Sequence, residues 1–297
     1  MRNSFFRALE EYARPETVFI TGDLGFGVLD NFLKKHPEKF FNAGVAEQNM
    51  IGLAAGLALS GKKVFAYSIA NFTTLRPLEQ IRMDVAYHNL NVTVVSVGGG
   101  LAYGSLGVSH HATEDIAILR AIPNMKVFAP GDTRETFVIT KKIIQEDLGP
   151  VYLRIGRAGE ATLHSDESIS KLILGEPLTL VRGKIKNIAL LSTGGMLEIA
   201  KNVHDKLEQE LNVDSSVYSF HTIKPFSKKA ALEILRQYKY IFTMEEHSIT
   251  GGFSSALMET LVGENGIDTS KIYSFALPSE FTSIVGDQNY MREQYGI

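Results

Sequence analysis

The alternation of short apolar runs with helical segments is the feature that most constrains the fold. Runs rich in β-branched residues recur at 17–21 (TVFIT), 63–68 (KVFAYS), 92–97 (VTVVSV), 126–130 (KVFAP) and 151–155 (VYLRI). Helical spacing of apolar residues separates them at 47–59, 78–87, 113–120 and 134–145. Strands buried on both faces and alternating with helices predict a mostly parallel sheet flanked by helices, an α/β fold.

A break in this rhythm predicts a second domain. Residues 158–186 are polar with short apolar pieces, and the strand-like pattern restarts with IALLST at 188–193. A chain of 297 residues is long enough for two domains that each bury a core. We therefore expect an α/β domain over 1–160, an interdomain connection over 161–186, and a smaller α/β domain over 187–297.

Composition gives no support for several classes of partner. The formal net charge is -3, so nothing in the charge balance favours nucleic acid or a membrane surface. The chain contains no run of about 18 apolar residues, and its first residues lack the basic-then-apolar layout of a secretory signal. It also contains no cysteine, hence neither a disulfide framework nor a thiolate metal site. We expect a soluble, cytoplasmic protein with no nucleic-acid or membrane partner.

Glycines cluster where the predicted strands end, in TGDLGFG after the first strand and GGG at 98–100 after the third. Ligands of open α/β sheets bind outside the carboxyl ends of strands, where glycine lets the backbone approach closely. The sequence contains no G-x-G-x-x-G that opens a helix and no P-loop motif. Both absences argue against dinucleotide and P-loop nucleotide binding.

Glu47 is the most conspicuous single residue. It begins an otherwise small and apolar helix within FFNAGVAEQNMIGLAAGLALSGKKV. A carboxyl group in such a setting is costly to ionise unless it has a partner, so we expect its pKa to be raised. A second interpretation stays open at this point: an acid at a helix N-terminus is also favoured by the helix dipole.

Several motifs together resemble transketolase and its thiamine-diphosphate relatives. In order, they are GVAEQNM, YSIANF, EQIRMDVAYHNLNV, GVSHHATEDIAILRAIPNMKVFAPGD, ALLSTGGMLEIA, HTIKPF, EEHSITGGFSSALMETL and MREQYGI. The resemblance covers nearly the whole chain. It implies a pyrimidine-binding domain followed by a transketolase C-terminal domain, as in the second half of a transketolase encoded as two polypeptides. The implied reaction transfers a two-carbon ketol unit from a keto sugar to an aldehyde.

The resemblance also implies residues for the cofactor, thiamine diphosphate. The acid matching Glu47 hydrogen-bonds N1′ of the aminopyrimidine, which drives the 4′-amino group to the imino form that deprotonates the thiazolium C2. Phe72 falls where the family places its stacking ring, although a core phenylalanine is the commoner fate of such a residue. Ile69 and Leu75 take neighbouring positions that are often aromatic. Asp23, in the first glycine-rich turn, is a further cofactor-binding candidate.

Four residues are candidates for the substrate. His110 matches the family histidine that contacts a substrate oxygen, and an imidazole can donate or accept a proton there. The adjacent His111 is a weaker candidate that a cap or surface role explains equally well. Arg157 and Arg2 match the phosphate-binding arginines, although surface ion pairs are the alternative. A guanidinium clamps any tetrahedral or carboxylate anion, so these arginines do not require phosphate.

Two departures from the family bear on the sugar. Where many transketolases have GEDG, this chain has GSLG, with Leu106 in place of an Asp that contacts a sugar hydroxyl. Gly98 stands where a phosphate-contacting histidine often lies. The resemblance with these departures predicts a non-standard sugar, such as a sulfonated, modified or nucleotide-linked ketose.

The diphosphate motif of the family is missing, since the chain contains GDL, GDT and GDQ but no GDG. The resemblance therefore implies an N-terminal transketolase subunit that carries GDG and holds the diphosphate with Mg²⁺ (or Ca²⁺), in an α2β2 assembly. Two alternatives remain open. One is a 2-oxo acid decarboxylating component or a deoxyxylulose-phosphate synthase-like enzyme, and the other is a non-catalytic regulatory or scaffold subunit.

Overall fold

The computed structural model describes residues 1–25 and 27–297. The first part of the chain supplies six strands: β1 (Thr17–Thr21), β2 (Phe40–Asn42), β3 (Lys63–Ile69), β4 (Val92–Val97), β5 (Lys126–Phe128) and β6 (Val151–Ile155). Its helices are α1 (Arg2–Tyr12), α2 (Asp30–Lys35), α3 (Glu47–Leu59), α4 (Ala70–Thr74), α5 (Leu78–Gln80), α6 (Asp115–Ala121) and α7 (Thr133–Gln145). A π-helical segment, Ile81–Ala86, continues α5, and 3₁₀ turns form at Pro37–Lys39 and Gly104–Leu106.

The rest of the chain supplies the second set of elements. Its strands are β7 (Leu178–Val181), β8 (Ile188–Ser192), β9 (Ser215–Ser219), β10 (Thr222–Lys224), β11 (Tyr240–Ser248) and β12 (Ile272–Leu277). Its helices are α8 (Asp166–Ile169), α9 (Met196–Leu211), α10 (Lys228–Gln237), α11 (Phe253–Glu259) and α12 (Gln288–Tyr295), with a 3₁₀ turn at Thr269–Lys271.

The first sheet has seven strands in the order β10-β5-β6-β4-β3-β1-β2. All neighbours pair in parallel except β10, which is antiparallel to β5. Every residue of β3 and β4 is buried, because helices cover both faces of the sheet. The mostly parallel, helix-flanked sheet that the apolar runs predict is confirmed.

The second sheet has five strands in the order β12-β11-β8-β9-β7, parallel except for β7 against β9. Two short strands fall outside the predicted division of the chain. β7 lies within 161–186, the predicted connection, and forms an edge of the second sheet. β10 lies within 187–297 and adds an antiparallel edge strand to the first sheet. Both are short edge strands without a continuous apolar run, which is why the sequence pattern does not reveal them.

Helix α3 forms from the sequence EQNMIGLAAGLAL, which is rich in small and apolar residues. Its buried residues, Met50, Ile51, Ala54 and Ala55, recur at helical spacing and join the core under the first sheet. Full burial of a side chain such as Met50 or Ile51 contributes about 1.5–3 kcal/mol. The helix is thereby fixed with its N-terminus, and Glu47, near the carboxyl end of β1.

A hydrogen-bond network around Arg154 and Glu246 joins the two domains at the loop 98–112. Arg154 on β6 donates from Nε to Asp115 Oδ2 (2.7 Å) and from Nη2 to the Glu246 carbonyl (3.0 Å). The Glu246 carboxylate in turn accepts the backbone N–H of Leu101 (2.5 Å). The second domain therefore anchors the loop that carries His110. Within the described residues, no helix combines the length and the apolar character needed to cross a membrane.

Candidate active site

Glu47 and Phe72 come together through Arg76. The Glu47 side chain is 5% exposed, and Arg76 Nη1 lies 2.9 Å from its Oε1. The guanidinium carbon of Arg76 also lies 4.0 Å from the centroid of the Phe72 ring. One planar cation thus contacts both the acid and the aromatic ring, which gives the buried carboxylate a charged partner.

Local structure explains this arrangement. β3 ends at Ile69 and leads directly into α4, which places Phe72 at the carboxyl edge of the sheet. Arg76 lies in the turn just after α4, four residues beyond Phe72. Because Leu75 keeps helical dihedral angles, the two side chains can lie on the same side. Glu47 reaches the same edge from the first position of α3.

His110 completes one side of the cluster. Its ring centroid lies 5.0 Å from that of Phe72 in an edge-on arrangement, and its Nδ1 lies 3.0 Å from the Ser109 hydroxyl. Partial burial lowers the pKa of His110, and the charges of His111 and Arg76 lower it further. The imidazole is therefore neutral near pH 7 and can accept a proton or, through its N–H, donate a hydrogen bond.

Tyr103 connects His110 to the two predicted arginines. Its ring lies 6.3 Å from His110, and the guanidinium carbon of Arg157 lies 5.0 Å from its centroid. Burial raises the pKa of Tyr103, and the charges of Arg157 and then Arg2 oppose that rise. Burial also raises the pKa of Tyr67, and the charge of Arg2 again opposes that rise. Arg157 and Arg2 thus both place positive charge near Tyr103.

Gly98 is adjacent to this tyrosine, and its φ is +82°, a conformation that side chains rarely adopt. A Cβ at this position would lie 2.1 Å from Cε2 of Tyr103. The phenol ring therefore fills the space that a side chain at position 98 would need.

The other predicted residues are placed differently. His111 is 1% exposed, and its Nε2 lies 3.2 Å from the Gly104 carbonyl, so it packs inside the loop and does not join the open face beside His110. Ile69 is buried, whereas Leu75 is 44% exposed. Asp23 is exposed, and its carboxylate accepts from Asn42 Nδ2 (3.0 Å). This bond ties the first glycine-rich turn to β2.

Comparison with known proteins identifies the family. Residues 1–159 match the family described as Transketolase, pyrimidine binding domain, and residues 179–281 match Transketolase, C-terminal domain. The chain belongs to the transketolase family. The two transketolase domains agree with the two sheets of the fold.

Individual relatives and a solved structure match along most of their length. An apulose-4-phosphate transketolase subunit of Phocaeicola vulgatus is 35% identical, covering 100% of this chain and 93% of that protein. A 6-deoxy-6-sulfo-D-fructose transketolase subunit of a Clostridium species is 32% identical over 89% of this chain and 81% of that protein. A split gene transketolase, solved as an inactive beta4 tetramer, superimposes with a TM-score of 0.88 at 34% identity, covering 99% of this chain and 93% of that one.

Membership of the transketolase family implies thiamine diphosphate, and the residues present fit its aminopyrimidine. The Arg76 guanidinium is itself a flat, N–H-bearing group that lies on Phe72 while it donates to Glu47. The family resemblance assigns the same two contacts, with Phe72 and Glu47, to the pyrimidine ring. No group of three or more His, Cys, Asp or Glu side chains suited to a metal ion occurs in the part of the chain that the structure describes.

Sequence reasoning missed Arg76 and Tyr103. Arg76 had one available signal, since a cation four residues after an aromatic residue in a helical stretch shares its face. Tyr103 had none, because its role depends on how the loop 98–112 folds back over Gly98. A cavity of about 750 Å³ is lined in part by Gly99, Arg154 and Glu246, and its lining does not include Glu47, Phe72 or His110.

Proposed function

We propose that this chain is the pyrimidine-binding subunit of a thiamine-diphosphate-dependent transketolase acting on a non-standard sugar. The observation that carries the proposal is the convergence of a nearly buried Glu47, the Phe72 ring and a neutral His110 at one edge of the sheet. The bound cofactor supplies the nucleophilic carbon that accepts the two-carbon unit from the donor ketose.

The chain's own residues then have distinct tasks. Glu47 shares a proton with N1′ of the pyrimidine, and such positioned acid–base groups contribute about 10²–10⁴-fold. Phe72 stacks on the ring, with Ile69 and Leu75 as apolar neighbours. Asp23, held by Asn42, contributes to the cofactor side of the same edge. His110 exchanges a hydrogen bond or a proton with a substrate oxygen near the reacting carbon.

The anionic end of the sugar is assigned to Arg157 and Arg2, beside Tyr103. His111 acts indirectly, by holding the loop. An anion is attracted to two guanidinium groups whether it is a phosphate or a sulfonate. The names of the two relatives above refer to apulose 4-phosphate and 6-deoxy-6-sulfo-D-fructose, which supports a sugar outside the ordinary pentose phosphates. The exposed Leu106, where many family members have an acid, supports the same conclusion.

An N-terminal subunit that carries GDG is the proposed partner, in a cytoplasmic α2β2 assembly in which that subunit holds the diphosphate and Mg²⁺. The candidate site lies open at the surface, since Arg76 is 47% exposed. Large apolar side chains around it are exposed as well: Val45, Leu53, Leu75, Met83 and Tyr87. Exposed apolar side chains grouped on adjacent elements are typical of protein interfaces. The relatives named as transketolase subunits and the inactive beta4 tetramer agree with a need for another chain.

Reconstitution tests the proposal. The chain is co-purified with the product of a neighbouring gene that contains GDG, and donor ketoses are supplied with an aldehyde acceptor, thiamine diphosphate and Mg²⁺. We expect ketol transfer, with phosphorylated or sulfonated non-standard ketoses preferred over xylulose 5-phosphate. Release of CO₂ from a 2-oxo acid without ketol transfer would favour a decarboxylating enzyme instead. A complex that neither binds the cofactor nor turns over any donor would favour a non-catalytic subunit.

A further inference from the structure

Arg76 occupies the position that the proposed function assigns to the pyrimidine ring. Its guanidinium lies 4.0 Å from the Phe72 centroid and 2.9 Å from Glu47 Oε1. A guanidinium is planar and carries N–H donors along its edge. An aminopyrimidine is also planar, and it meets the same ring face and the same carboxylate. The two groups cannot occupy this space together.

We propose that Arg76 is an internal stand-in for the pyrimidine, a positioning residue that holds Glu47 and Phe72 ready and must withdraw before the cofactor stacks. The inference rests on the proposed roles of Glu47 and Phe72. Arg76 then sets the cofactor affinity, because it competes for the contacts with Glu47 and Phe72 that the cofactor needs.

The side chain of Arg76 can leave without unfolding anything. It is 47% exposed, and its ion pair with Glu47 is the only hydrogen bond that its guanidinium makes within the described residues. A swing into solvent leaves a cation that water hydrates well. Glu47, at 5% exposure, loses this charged partner in the movement. A new hydrogen-bonding partner, N1′ of the pyrimidine, then offsets the loss.

Competition of this kind reduces apparent affinity by the fraction of molecules whose site is free. Apparent Kd equals intrinsic Kd divided by the competent fraction. A half-exposed ion pair and a cation–π contact of ordinary strength leave the site free in about one molecule in ten. Removing the guanidinium is therefore expected to tighten cofactor binding about tenfold.

The experiment measures thiamine diphosphate binding by isothermal titration calorimetry, with Mg²⁺, in the complex of the full chain with its partner subunit. Arg76→Met removes the charge and the planar group but keeps the apolar stem. Arg76→Lys keeps the charge without the planar group. Arg236→Met is the matched control, because Arg236 is also about half exposed and paired with a glutamate, Glu264, but lies on α10 in the second domain. Stopped-flow mixing measures the rate at which thiamine diphosphate associates with each complex.

We expect Kd to fall about tenfold in Arg76→Met, with faster association, to take an intermediate value in Arg76→Lys, and to stay unchanged in Arg236→Met. An unchanged Kd in Arg76→Met would overturn the inference. Weaker binding would overturn it too, since Arg76 would then contact the bound cofactor. Both results leave the proposed function standing, because the wild-type complex still binds. A wild-type complex that binds no cofactor would remove the proposed function and the inference with it.

Discussion

Replacing Glu135 by glutamine is expected to remove a pH-dependent loss of stability. Glu135 is fully buried in the first turn of α7, where its Oε2 accepts the backbone N–H of Gly131 (2.6 Å). Its Oε1 has no hydrogen-bond partner among the residues that the structure describes, and it lies 3.7 Å from Nε2 of His164. Burial, helped by the Asp132 charge and opposed by the His164 charge, raises the pKa of Glu135 from 4.5 to about 7.

The direction of the pH effect follows from the difference in proton binding between the folded and unfolded chain. A folded-state pKa above the unfolded value means that the folded chain binds the proton more tightly, so the stabilisation is complete below pH 4.5 and is lost as pH rises through about 7. At 1.36 kcal/mol per pKa unit, a change from 4.5 to about 7 corresponds to at most about 3 kcal/mol. Burial would lower the pKa of His164, but its hydrogen bond to Asp132 and the charge of Glu135 raise it. Deprotonation of His164 as the pH rises therefore also lowers the free energy of unfolding.

Urea denaturation at pH 5.5 and pH 8.0 measures the effect. Between these two pH values, wild type should lose about 2 kcal/mol of unfolding free energy relative to Glu135→Gln. Glu210→Gln, at an exposed position on α9, serves as the matched control and should follow wild type at both. An equal difference between wild type and Glu135→Gln at pH 5.5 and 8.0 would refute the argument that burial holds the proton on Glu135.

Two further predictions concern the proposed site. The isolated chain, without the diphosphate-binding subunit, should bind thiamine diphosphate so weakly that excess cofactor with Mg²⁺ barely moves its melting temperature, and a shift of many degrees would contradict the division of labour between subunits. Tyr103→Phe should raise KM for an anionic ketose by about tenfold with little change in kcat, because it removes one hydroxyl beside Arg157 while the ring still fills the space next to Gly98. Steady-state kinetics check this, and an unchanged KM would exclude contact between the hydroxyl and the substrate.

The long buried strands could be predicted closely from the sequence. The apolar runs at 63–68 and 92–97 correspond to Lys63–Ile69 and Val92–Val97 in the structure. Central parallel strands need continuous apolar sequence because both of their faces are covered. β2 and β10 carry no such run, since both are three-residue edge strands. Their existence depends on which neighbour happens to lie alongside, and local sequence does not encode that.

The candidate site also has residues that the sequence predicts and contacts that only the folded structure reveals. Glu47 and Phe72 are recognisable from family motifs. In the structure Phe72 contacts the His110 ring, and Arg76 links Phe72 to Glu47. The ion pair between Glu47 and Arg76 joins residues 29 positions apart, so only the folded chain reveals it. His110 and His111 are adjacent and chemically identical, yet one is partly exposed and the other nearly buried. The turn of the loop decides that difference, and residue type carries no information about it.

Hydrogen–deuterium exchange at C2 of the cofactor thiazolium tests the central claim, the role of Glu47, most directly. Glu47→Gln keeps the shape and a hydrogen bond but cannot transfer a proton, so exchange in the reconstituted complex, followed by quenched NMR, should slow by about 10²–10⁴-fold. Cofactor affinity and complex formation, measured alongside, should change much less. Exchange as fast in Glu47→Gln as in wild type, in a complex of equal cofactor occupancy, would contradict the account.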